Sequence, residues 1–232
     1  KQTLNNSLTL AKEAEAFHYK RFWFAEHHNA ENIGSIATSI LIGYVAENTH
    51  TIRVGSGGIM LPNHSPLIIA EQFGTLAHLY PNRIDLGLGR APGTDPQTAQ
   101  AIRSDFLDAT HSFPDVPLYI LGSSTDSAHL AAKKGLPYAF ASHFASAHLD
   151  NALRIYAQEF IPSAALEKPY TIAGVNVILA DTDEEAERLF TSLIKLFAGV
   201  LTGTRDALQP PMQMTTELKE MLQHPSLHQM LK

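Results

Sequence analysis

The sequence predicts an α/β fold in which a parallel sheet is covered by helices. Three observations carry this. Short strand-type segments alternate strictly with segments of helical periodicity. The strand segments are strongly apolar, as in strands buried on both faces. The chain has 232 residues, 44% of them hydrophobic and 17% charged, enough apolar material for one large core. An eight-unit βα barrel takes about 250 residues, so a single domain spanning residues 1–232 is expected.

The elements follow in order. Leu4, Leu8, Ala11, Ala14 and Phe17 recur at spacings of three or four and predict a helix over residues 4–17. Arg21 to Ala25, RFWFA, is short and aromatic and reads as a strand. Ile33, Ile36, Ala37, Ile40, Leu41 and Tyr44 have helical spacing, and Ile52 to Leu61 is β-like around Gly57 and Gly58. Ser65 and Pro66 form an N-cap and first-turn pair for a helix running towards Tyr80. Ile84 to Leu88 is a strand ending in GLGRAPG, with a weak helix over residues 97–107. Leu118 to Leu121 is a strand ending in Gly122-Ser123-Ser124, and the next helix stops at Gly135. A strand at 138–142, a helix at 147–159 and a strand at 170–179 follow. Thr182 and Glu185 form a capping-box pattern for a helix whose apolar face holds Ala186, Leu189, Phe190, Leu193 and Phe197. No clear final strand follows Pro210. Open doubly wound sheets and closed barrels both fit these six strand–helix units.

Composition narrows the function classes. The net charge of −6, with no basic block, gives nucleic-acid binding no electrostatic support. There is no cysteine, which excludes disulfides and thiolate metal sites and suits a cytoplasmic location. No apolar run approaches the roughly 18 residues of a membrane helix, and the opening segment does not read as a signal peptide.

In a parallel α/β protein, chemistry gathers at the C-terminal ends of the strands. Glu26-His27-His28 follows the first strand, and imidazoles there serve as base or hydrogen-bond donor; a capped strand end with surface imidazoles fits the motif equally. Adjacent strand residues point to opposite faces, so a chelating pair takes the form His-x-His. Neither that nor His-Glu-x-x-His occurs, and no metal ligand is expected. Gly57-Gly58 permits a bulge or the approach of a flat ring, or marks a packing contact; Asn63-His64 closes the same strand. GLGRAPG has G-x-G-x-x-x-G spacing, one residue too long for a dinucleotide turn, but its Arg90 suits either a phosphate or a rim ion pair. Gly122-Ser123-Ser124 opens a helix and offers hydroxyls and free N–H groups to a phosphate, or is a plain serine N-cap. Ser142-His143 is a weaker fifth strand end.

The run from Phe22 to Asp95, with its pieces AEHH, VGSGGIMLPNHSP and AEQFGTLAHLYPNRIDLGLGRAPG, resembles the bacterial luciferase-like flavin-dependent monooxygenase family. The later LGSS and GLPYAFASHFA extend the resemblance over roughly residues 1–212. It implies a (β/α)8 TIM barrel that binds FMN, arriving reduced from a separate flavin reductase. Dioxygen then adds to the flavin, and a small organic substrate of the aldehyde class is oxygenated. By motif, the resemblance implies that His27 lies near the reactive flavin edge, supported by His28 and Glu26. Gly57 and Gly58 would lie under the isoalloxazine ring, with Asn63 on the cofactor side, and Arg90, Gly122, Ser123 and Ser124 would grip the phosphate. A homodimer is expected; the Ile36/Ile40/Tyr44 face is its candidate surface, or else barrel core. Against the family pattern, the first and last strands are expected to be missing, and the stretch between Arg90 and Pro117 is short. Competing readings are a non-catalytic flavin-binding or partner subunit, a metal-dependent barrel hydrolase, and use of a deazaflavin.

Overall fold

The computed structural model describes residues 2–28, 33–89, 116–204 and 208–231. Helix α1 (Gln2–Ala16) precedes β1 (Arg21–Phe24), α2 (Thr38–Glu47), β2 (Arg53–Met60), a 3-10 turn (Leu61–Asn63), α3 (Pro66–Leu79) and β3 (Ile84–Gly89). Then come β4 (Leu118–Gly122), α4 (Thr125–Lys134), β5 (Tyr138–Phe140), α5 (Ser142–Ala145), α6 (Leu149–Glu159), β6 (Thr171–Ala173), α7 (Asp183–Thr202), α8 (Thr216–Leu222) and α9 (Pro225–Leu231). The weak helix expected at 97–107, and Arg90 itself, lie outside the described residues.

The six strands are all parallel and stand in chain order, β1 to β6. This order separates the two architectures that fit the sequence. A doubly wound sheet reverses direction at a switch point, whereas barrel winding adds each strand beside the last. The sheet is therefore of TIM-barrel type, an arc of six consecutive units. Among the described residues no strand precedes β1 or follows β6.

Strand alternation gives the arc two faces. Phe24, Val54, Ile84, Leu86, Leu88 and Ile120 join one core with Leu41, Ile42, Val45, Ile69 and Phe73 of α2 and α3 and the alanines of α4. The opposite, inner face carries Arg21 and Trp23 of β1, Gly55 and Gly57 of β2, Asp85 and Gly87 of β3, and Tyr119 of β4, in register. At its base Asp85, fully buried, accepts from Arg21 Nε (3.0 Å), Arg53 Nε (2.7 Å) and Trp23 Nε1 (2.9 Å). Arg21 also donates to the Tyr119 hydroxyl at 2.6 Å, so the Asp85 carboxylate joins β1, β2 and β3 and Arg21 extends the network to β4. Glu15 ties α1 to the start of β2: its Oε1 accepts from the N–H groups of His50 (2.8 Å), Thr51 (2.5 Å) and Ile52 (3.0 Å). Burial alone would raise this carboxyl; those bonds outweigh it and hold the group at about 2.

Several local expectations change. The second helix begins at Thr38, not Ile33. The fifth strand ends at Phe140 because Ser142 turns into α5, its hydroxyl donating to the Gly174 carbonyl. β6 stops at Ala173, not 179, because its partner β5 has already ended, and Val175, Val177 and Leu179 are exposed. Gly135 caps α4 in the left-handed region (φ 60°), as its position after the helix implies. Thr182 accepts from the Glu185 N–H, but the Glu185 side chain pairs with Arg188, so only half of the capping box forms. Four residues hold a separate small cluster, Ile194, Phe197, Leu218 and Leu227, between α7 and the last two helices.

Candidate functional site

The C-terminal edge of the sheet brings His27, Gly57, Gly58, Gly122, Ser123 and Ser124 to one side of the molecule. With neighbouring strands 4.7–4.9 Å apart, the ends of β1 and β4 are roughly 14 Å apart, the span of an elongated ligand.

Beyond Phe24 the chain keeps alternating. Ala25 and His27 are exposed while Glu26 is buried, so Glu26 and His28 face the helices and His27 takes the other side, continuing the line of Arg21 and Trp23. The Glu26 Oε1 accepts from His28 Nε2 (2.9 Å), His64 Nε2 (2.8 Å) and the Met60 N–H (3.0 Å). Burial would raise this carboxyl, but the bonds from His28, Met60 and His64 prevail and hold it below the ordinary carboxylate range. The two imidazoles stand edge to face, 5.5 Å between centroids. His64 was not among the sequence-assigned site residues. The one signal for it was its place after a strand end, since 38 residues separate it from Glu26. Asn63, next to it, is exposed.

Gly57 and Gly58 lie where the β2–β3 register shifts between Ser56 and Ile59, which is a bulge, and the peptide joining them is cis. A side chain at Gly57 would press on Trp23 at 3.3 Å, and one at Gly58 would strike the Gly87 carbonyl at 2.7 Å. Gly87 is itself closed by Ser56 O, 2.2 Å from its notional Cβ. Backbone approach and packing are thus both present. On this face the Trp23 ring lies against Gly57, donates to Asp85 and meets the Tyr119 ring edge to face at 4.9 Å, so the surface beside the β2–β3 glycines is aromatic as well as main chain.

At β4, Gly122 leaves the strand and Ser124 takes the N-cap position of α4 with no side-chain capping bond. A Cβ on Gly122 would fall 2.0 Å from Ser127 Oγ, which donates to Ser124 O at 2.6 Å. Gly122, Ser123 and Ser124 are half-buried. Two serine hydroxyls and a helix N-terminus match a phosphate, and Gly57 and Gly58 beside the Trp23 ring match a flat group, so the donor set fits a flavin mononucleotide. His143, at the weaker fifth strand end, packs against Gly174.

The description "Luciferase-like monooxygenase" is matched over residues 1–106 and 95–226. A "Luciferase-like monooxygenase" of Escherichia coli K12 is 50% identical over 92% of this chain and 72% of its own length. The N-acetyl-S-alkylcysteine monooxygenase of Bacillus subtilis is 34% identical over 93% and 75%. The crystal structure of apo-MsnO8 superposes with a TM-score of 0.80 at 36% identity, over 90% of this chain and 70% of that one. Two more distant structures share the fold: the oxygenating constituent of 3,6-diketocamphane monooxygenase of Pseudomonas putida with FMN (TM-score 0.71, 17% identity, 87% and 70% covered), and an F420-dependent secondary alcohol dehydrogenase (0.68, 16%, 98% and 79%).

Proposed function

This chain belongs to the luciferase-like monooxygenase family, and from that membership we propose that it is a flavin-dependent oxidoreductase using reduced FMN and dioxygen to oxygenate a small, aldehyde-like organic substrate. The observation that carries the reading is the line of strand ends that runs from His27 after β1, past Gly57 and Gly58 of β2, to Gly122, Ser123 and Ser124 at the N-terminus of α4.

Gly57 and Gly58 would seat the isoalloxazine ring, with Asn63 at the end of the same strand. Gly122, Ser123 and Ser124, with Arg90, would hold the phosphate by N–H, hydroxyl and guanidinium donors. Bound reduced flavin supplies the electrons and the position at which dioxygen is activated. His27, exposed on the inner side, moves a proton at its imidazole nitrogen during oxygen transfer. Glu26 and His28 hold the strand end that presents it.

A separate flavin reductase in the cytoplasm supplies the reduced cofactor. The exposed Ile36, Ile40 and Tyr44 (48, 71 and 39% accessible) are the surface on which a second copy pairs. No helix among the described residues is long and apolar enough to cross a membrane. The F420-dependent fold neighbour favours one second reading, a deazaflavin in the same cradle.

The test is an anaerobic titration with reduced FMN, followed by labelled dioxygen and a panel of aldehydes. One FMN per chain and label in the product are expected. Binding of F420 in preference to FMN supports the second reading, whereas flavin binding without label incorporation leaves a non-catalytic subunit.

A further inference from the structure

We propose that Glu26, His28 and His64 form a binding site for one divalent transition-metal ion of the zinc class, on the helix side of β1. These side chains face away from the inner surface on which His27 lies, so an ion held by them does not occupy the flavin's place.

The spacing rule for a chelating strand pair is met by Glu26-x-His28 in place of His-x-His. Both side chains leave the extended chain on one side, and His64 reaches the same point from the turn before α3. The carboxylate oxygen and the two Nε2 atoms all lie within 4.8 Å of one another. Two neutral imidazoles and a carboxylate are the donor set of three-ligand zinc sites, which keep a fourth position open. Metal–ligand bonds of about 2.0–2.1 Å put tetrahedral ligand atoms roughly 3.4 Å apart. The present contacts of 2.8 and 2.9 Å open by roughly 0.5 Å when the ion replaces the shared protons. The Met60 N–H on Glu26 gives the carboxylate the outer support that metal ligands need.

A second observation points to an occupant. A cavity of about 250 Å³ adjoins the cluster, lined by Glu26, Thr38, His64 and Gln72 among others. Thr38 is only 2% exposed, and among the described residues its Oγ1 has no hydrogen-bond partner. A water on the open coordination position, held in this cavity, gives that hydroxyl a partner. The His28 and His64 side chains are 33 and 24% exposed, which leaves the ion a route in. The ion would brace the strand end that carries His27 on its opposite side.

Chelator-stripped protein, with its fold checked by circular dichroism, is titrated with Co2+ and followed by visible absorption. One equivalent per chain is expected, with ligand-field bands of a four- or five-coordinate site, displaced by Zn2+ and not by Mg2+. His64→Gln and His28→Gln each weaken binding at least ~10-fold, while the neighbouring His27→Gln leaves it unchanged. If one of the first two fails to fold, the other carries the comparison. No stoichiometric binding by folded wild-type protein, or equal binding by the folded His64 or His28 variant, overturns the proposal.

Discussion

Replacing Glu15 by glutamine should make the protein less stable at neutral pH and leave it nearly unchanged in acid. The carboxylate oxygen takes the N–H groups of His50, Thr51 and Ile52 and the Thr51 hydroxyl, so it is the chief acceptor at the start of β2. Its folded value of about 2, against the ordinary 4.5, corresponds at full strength to ~3.4 kcal/mol. Glu15 is partly exposed, and solvent screening reduces this to about 1–2 kcal/mol. The folded group titrates lower than the unfolded one. Its contribution is therefore complete above pH 4.5 and disappears as pH falls towards 2. Urea unfolding of both proteins at pH 7 should separate them by about 1–2 kcal/mol, or roughly 2–8 °C in Tm, and the gap should narrow at pH 3. A gap that stays the same at both values, or is absent at pH 7, refutes the carboxylate as the cause.

Asp85→Ala strands Arg21 and Arg53 without their shared counter-charge and should cost about 3–5 kcal/mol in urea unfolding. Gly122→Ala puts a methyl 2.0 Å from Ser127 Oγ; a loss of about 1–3 kcal/mol in thermal melts is expected, with weaker FMN binding in equilibrium dialysis. His27→Ala should bind reduced FMN as the parent does and lose about 10²–10⁴ in kcat; equal turnover removes His27 from the reaction. Replacing Arg90 should weaken FMN binding without abolishing turnover at saturating cofactor, measured as a rise in its apparent Kd.

The βα order and the gathering of strand ends were legible because both follow from local patterns. Apolar runs, the glycine after α4 and Thr182 before α7 each act on their own neighbourhood. What was not legible depends on register. Asp85 meets Arg21, Arg53 and Trp23 only after β1, β2 and β3 have paired. His64 meets Glu26 across 38 residues, and nothing in either short motif names the other. Glu26-x-His28 carries no mark of its third neighbour, because His64 comes from another element. β6 was overestimated for a related reason: residues 174–179 have strand composition, but β5 is too short to pair with them.

Gly55, Gly58 and Gly87 let the main chains of β2 and β3 approach too closely for a side chain to stand between them. Point mutation has little to alter there, because almost any replacement collides with a neighbouring strand. Variation is then left to the loops beyond the strand ends, while the close pairing of these two strands stays fixed. Sheet geometry and loop chemistry are separable traits in such a scaffold, free to evolve at different speeds.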